Sequence, residues 1–89
     1  MIAETDKPTL RHATLEVLAS RHPNALLVPG LRRRVATSVD FTVTEEDLES
    51  VLSLLQDLGF AAPVRDTLSA QLSWRATAQG LIEAEGKAR

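Results

Sequence analysis

From residue 6 onward the chain reads as blocks of apolar positions at helical spacing, then a short stretch where the period drops to two. Leu10, Ala13, Thr14, Val17 and Leu18 recur three and four apart, leaving Arg11, Glu16 and Ser20 on the other side. Asp6 stands where an N-cap belongs, and Pro8 is tolerated in a first turn. His22-Pro23-Asn24 closes this first helix, because the residue before a proline is driven out of the α region. A second helix is predicted from near Pro29, with Val28, Leu31, Val35 and Val39 as its buried stripe. The segment Asp40-Phe41-Thr42-Val43 breaks it.

The third helix carries the fullest set of signals. Thr44 and Asp47 have capping-box spacing, although Asp is a short side chain for that last position. Val43 before the cap and Leu48 after it form a hydrophobic staple. Leu48, Val51, Leu52, Leu55 and Leu58 make a continuous apolar stripe. Gly59 is placed to end the helix in a left-handed cap, with Phe60 folding back on it.

From Ala62 to Ala76 the pattern predicts two short strands joined by the Thr67–Gln71 stretch. Leu72, Trp74 and Ala76 fall on one face, and Ser73 and Arg75 on the other. Thr77 is a cap for a last helix carrying Ala78, Leu81, Ile82 and Glu85. The expected class is mainly α with a small β-hairpin (α+β), in the order helix, helix, helix, strand, strand, helix. That order is a winged helix-turn-helix. One domain is expected over 1–89, with its core at about 8–85 and frayed ends at Met1 to Thr5 and from Gly86.

The leucine-rich helix, the Asp57-Leu58-Gly59-Phe60 helix end and the segment from Leu72 to Gly80 resemble the winged-helix repressor superfamily. Members share a "leucine, glycine, apolar" helix end, a β-wing and a "Thr, x, x, Gly" lead-in to the final helix, here Thr77 to Gly80. The resemblance covers roughly Leu10 to Glu85 and implies DNA binding in transcription regulation, though a fold specifies its ligand poorly. In size and in the Trp74-Arg75-Ala76-Thr77 wing exit, the chain is also similar to small winged-helix proteins of Mu-like phages and prophages. That likeness implies a phage gene product.

Composition narrows the picture. With 89 residues and three aromatics (Phe41, Phe60 and Trp74), the core must be built mainly from Leu, Val and Ala. The chain has no cysteine, which excludes disulfides and thiolate metal sites and fits a reducing cytoplasm. No apolar run approaches the roughly 20 residues that span a bilayer, and no signal-peptide pattern opens the chain. The net charge is −2, so a DNA contact must come from a local basic patch.

That patch is Arg32-Arg33-Arg34 on the second helix, with Arg65 and Arg75 on the wing as candidate additional DNA contacts. The competing reading is a solvated face whose arginines pair with nearby acids. The third helix departs from the resemblance. A major-groove helix offers Arg, Lys, Asn or Gln to base edges, whereas the exposed face here is Glu46, Glu49, Ser50, Ser53, Gln56 and Asp57. Glu45, Glu46 and Asp47 stabilise the helix through its dipole and would repel a phosphate backbone. Two functions therefore stand. One is a DNA-binding regulator, expected as a homodimer that gathers two copies of the arginines. The other is a protein-interaction module whose Glu46, Glu49, Ser53, Gln56 and Asp57 face a basic partner.

Trp74 is read as a core-covering aromatic rather than a stacking platform. His12 and His22 are read as surface histidines, and the Glu45–Glu49 carboxylates as a solvated helix start rather than a metal or acid/base site. There is no nucleophile, base and orienter set and no cofactor fingerprint, so neither catalysis nor a cofactor is expected.

Overall fold

The computed structural model describes residues 3–65, 67–68 and 71–87. Helix α1 runs Lys7–Ser20 and buries Leu10, Ala13, Thr14, Leu15 and Leu18. Leu15 replaces Val17 on the inner face, and Val17 is only half-buried. Thr14 is fully buried without penalty, because its hydroxyl donates to the Leu10 carbonyl at 2.8 Å. Asp6 occupies the N-cap position without a side-chain cap bond. Residues Glu4–Asp6 instead form a 3-10 turn, closed by the Asp6 N–H donating to the Ala3 carbonyl at 2.9 Å. Met1 and Ile2 lie outside the described residues. The Lys7 ammonium donates to Glu4 at 2.8 Å and holds that carboxyl below its ordinary pKa.

Helix α2, Val28–Ala36, starts with Pro29 in its first turn and buries Leu31 and Val35. It stops short of Val39, which packs half-buried against the core from beyond the helix. The hydroxyls of Thr37 and Ser38 both donate to the Arg34 carbonyl, at 2.7 and 3.3 Å. Such side-chain bonds satisfy a terminal carbonyl that a further turn would otherwise use.

Helix α3, Glu45–Asp57, begins with the reciprocal capping box. The Asp47 N–H donates to the Thr44 hydroxyl at 3.1 Å, and the Thr44 N–H donates to the Asp47 carboxylate at 3.1 Å. Leu48, Val51, Leu52 and Leu55 are its buried stripe. Gly59 at φ 83° ends the helix as a Schellman turn, with Phe60 N–H donating to Leu55 at 2.9 Å and Gly59 N–H to Gln56 at 3.0 Å. Leu58 leaves the expected stripe. It lies past the last helical turn and is 52% exposed.

The predicted hairpin is β2, Ala61–Arg65, and β3, Leu72–Ala76, antiparallel with Ala61 opposite Ala76 and Pro63 opposite Trp74. The sequence pattern missed a third strand. Strand β1, Leu26–Leu27, pairs antiparallel with β3, giving the sheet order β1-β3-β2. Trp74 and Ala76 are buried as expected, but Leu72, on the same face, reaches past the core and is 37% exposed. Of the Thr67–Gln71 connection, Thr67 and Leu68 form a turn, while residues 69 and 70, like Asp66, lie outside the described residues.

Helix α4, Ala78–Lys87, continues through Gly86, where a frayed tail was expected; residues 88 and 89 lie outside the described set. Its start explains the Thr77-x-x-Gly80 spacing physically. The Thr77 hydroxyl accepts from the Gly80 N–H at 3.0 Å and donates to the Gly59 carbonyl at 2.7 Å. The Thr77 N–H donates to the Phe60 carbonyl at 3.0 Å. Two chain junctions, α3 to β2 and β3 to α4, are thereby clamped to each other. A single core runs through all of these elements, from Leu10 and Leu18 through Leu31, Leu48 and Leu52 to Trp74 and Ala84.

Candidate nucleic-acid interface

Helices α2 and α3 pack together, and α2 also contacts β3. Because Leu27 pairs with Ser73 and β1 runs directly into Val28, the basic helix starts beside β3 on its Leu72 side, toward the loop end of the hairpin. The three arginines of α2 follow from the positions left over by the core. Leu31 and Val35 face inward, and each successive helical residue rotates by about 100°. Arg33 therefore points away from the core, while Arg32 and Arg34 lie on opposite flanks, about 200° apart. Arg33 and Arg34 are exposed and Arg32 is half-buried. Three consecutive arginines read as one cluster in sequence but fan around the helix in space. Arg33 and Arg34 also lie in the last turn, where positive charge complements the helix dipole.

The wing separates its two arginines. Directly paired residues of antiparallel strands point to the same side of a sheet. Arg65 is opposite Leu72 and so shares the Trp74 face, whereas Arg75 is opposite Ala62 on the outer face with Ser73 and Val64. Arg75 is half-buried near the C-terminal end of β3, at the base of the hairpin, and Arg65 is exposed at the far end of β2. The structure thus sets Arg75 and Arg65 on opposite faces and near opposite ends of the hairpin, with α2 starting on the Leu72 side of β3.

None of these five arginines forms an ion pair among the described residues, where the pairs are Lys7–Glu4 at 2.8 Å and His12–Glu16 at 3.2 Å.

Helix α3 presents the opposite charge. Glu46, Glu49, Ser50, Ser53, Gln56 and Asp57 are all exposed on the side away from the leucine stripe. Glu45, Glu46 and Asp47 fill the first turn, and no basic residue lies within the helix. The two helices of one helix-turn-helix unit are oppositely charged and form no salt bridge with each other among the described residues.

His22 is tied down more than a surface histidine need be: its Nδ1 donates to the Ala76 carbonyl at 3.2 Å. No group of three or more His, Asp or Glu that could hold a metal ion occurs among the described residues. No helix among them is long and apolar enough to cross a membrane. The sequence pattern also missed an open apolar groove between α1, the end of α3 and α4, floored by Leu15 and Leu55. Its lining spans Pro8 to Glu83, too far apart in sequence for a periodicity to reveal.

No protein-family model matches the chain, and no curated protein matches it. Among solved structures, it is similar to a point mutant of ZitR from Lactococcus lactis, with a TM-score of 0.73 and 13% identity. That match covers 99% of this chain but only 55% of that one. It is also similar to a transcriptional regulator from Clostridium thermocellum, with a TM-score of 0.73, 14% identity, and coverage of 99% of this chain and 85% of that one. At these identities the likeness is one of fold. The architecture is a winged helix-turn-helix with α2 and α3 as the helix pair and β2–β3 as the wing.

Proposed function

We propose that this chain is a DNA-binding transcriptional regulator that grips the phosphate backbone through α2 and the wing and acts as a homodimer. The observation that carries this reading is the set of arginines, Arg32, Arg33, Arg34, Arg65 and Arg75, which have no ion partner among the described residues of a winged helix-turn-helix. Unpaired guanidinium groups are suited to phosphate oxygens, because they offer a fork of donors and release counterions on contact. Their fan-like arrangement suits contacts to backbone on either side of a groove better than a bidentate contact to one base. The carboxylates of α3 argue against deep insertion of that helix, so affinity in this reading is mainly electrostatic and weakly sequence-dependent. The Trp74-Arg75-Ala76-Thr77 wing exit supports a regulator of the small phage type.

Fluorescence anisotropy with a mixed-sequence duplex, at low and at physiological salt, tests this. Binding should weaken steeply with salt. Arg32→Ala, Arg33→Ala and Arg34→Ala together should reduce the salt slope by about one for each phosphate that is no longer neutralised. Unchanged affinity and slope in the triple variant would remove these residues as the DNA-facing surface.

A second reading rests on α3. Glu46, Glu49, Ser53, Gln56 and Asp57 form an exposed acidic face suited to a basic protein partner, with electrostatic steering of the encounter. It becomes the better account if duplex DNA does not bind even at low salt.

A further inference from the structure

We propose that the groove between α1, the end of α3 and α4 is the surface on which a second copy of this chain docks, forming a twofold dimer. The proposal rests on the homodimeric form of the function above and names the surface that makes it.

The groove has an apolar base and a polarised rim. Leu15 and Leu55 form its floor, at 4% and 3% exposure, and Leu58 and Phe60 line its side. Leu58 is the side chain whose position conflicts with the sequence pattern. It continues the leucine stripe of α3, yet it is 52% exposed and opens onto this groove rather than the core. An apolar residue in a stripe that the chain's own core leaves uncovered is what an external cover would bury.

The rim identifies the cover. Arg11 lines the groove from α1, and Glu83 lines it from α4. Neither forms an ion pair among the described residues, although His12, next to Arg11, is paired with Glu16 at 3.2 Å. One wall thus offers an unpaired cation and the other an unpaired anion. A twofold axis through the groove exchanges the walls, so Arg11 of each copy meets Glu83 of the other, and the two Leu58 side chains approach across the axis. An isologous contact requires this self-complementarity, in which residue i meets residue j and j meets i. A ligand of a single charge would satisfy one wall and oppose the other.

Sedimentation velocity on the full chain, without DNA, from about 1 μM to about 500 μM, reads the association directly. The wild type should show a concentration-dependent monomer–dimer equilibrium. Arg11→Glu, Glu83→Arg and Leu58→Lys should each weaken the dimer about tenfold or more, because every change is felt twice across the axis. The double variant Arg11→Glu/Glu83→Arg should return to within about threefold of wild type, since reversing both walls restores the pairing. Trp74 fluorescence confirms that each variant is folded. A wild type that stays monomeric overturns the proposal, as does a dimer indifferent to all three single changes or a double variant no better than the singles. A monomer that still binds duplex with a steep salt dependence overturns this pairing and leaves the DNA reading in place. A dimer that ignores duplex does the reverse.

Discussion

Replacing Gly80 with alanine adds one methyl group, and on propensity alone it should help. Alanine in a helix interior is favoured over glycine by about 0.5–1 kcal/mol. At Gly80 the sign reverses. A Cβ there would overlap the Phe60 carbonyl oxygen and stand 3.0 Å from the Phe60 carbonyl carbon and 3.2 Å from its Cα. All three atoms are backbone, so no rotamer change relieves the contact. Either α4 lifts away from the α3–β2 junction or the Phe60 carbonyl turns, which strains the bond it accepts from the Thr77 N–H at 3.0 Å. Overpacking of this kind costs about 1–3 kcal/mol and a weakened hydrogen bond about 0.5–1.5 kcal/mol. After the propensity gain, the net loss is about 1–3 kcal/mol.

For a domain of this size, each kcal/mol moves the melting temperature by about 4–8 °C, so the expected fall is about 5–20 °C. Trp74 is the single tryptophan and is 7% exposed, so its fluorescence reports the transition. Gly86→Ala is the control. It lies in the same helix, and nothing stands within 4 Å of the place its added methyl would take, so stability should be unchanged or slightly raised. A Gly80→Ala protein that melts at or above wild type would refute the close-approach argument and the account of the Thr77-x-x-Gly80 spacing that depends on it.

Other outcomes follow from single interactions. Thr44→Ala removes one half of the capping box and should destabilise by about 0.5–2 kcal/mol in urea titration, with an unchanged m-value. Leu52→Ala, at a fully buried position, should cost about 2–5 kcal/mol by the same assay, and a cost under about 1 kcal/mol would mean that α3 is not seated on the core as described. If duplex DNA approaches α2 and the wing, Glu46→Gln with Glu49→Gln should tighten binding severalfold at low salt by removing repulsion. Unchanged affinity would place the acidic face away from the nucleic acid.

Apart from Leu58, the third helix was legible from the sequence because its determinants are local. The Thr44–Asp47 box, the spacing of Leu48, Val51, Leu52 and Leu55, and Gly59 in the left-handed region each act within a few residues of chain. The Trp74 and Ala76 face and the Thr77 cap were legible for the same reason. The oppositely charged helices were also visible, since the charges of α2 and α3 are a matter of composition.

What the sequence did not determine depends on contacts between distant segments. Strand β1 is two residues long and has no period of its own; it exists because Leu26 and Leu27 find Trp74 and Ser73 across the fold. The end of α2 was set by Thr37 and Ser38 turning back onto Arg34, ahead of the apolar stripe that ran on to Val39. Pairing register placed Arg65 and Arg75 on opposite faces, and helical rotation spread Arg32, Arg33 and Arg34, so a run of letters became separate points of approach. Leu58 shows the division most directly. The stripe assigns it to the core, but the Schellman turn at Gly59 redirects the chain one residue later and leaves it at the mouth of a groove. Local patterns fix which residues want to be buried; only the packing of segments far apart in the chain decides which of them the molecule can cover.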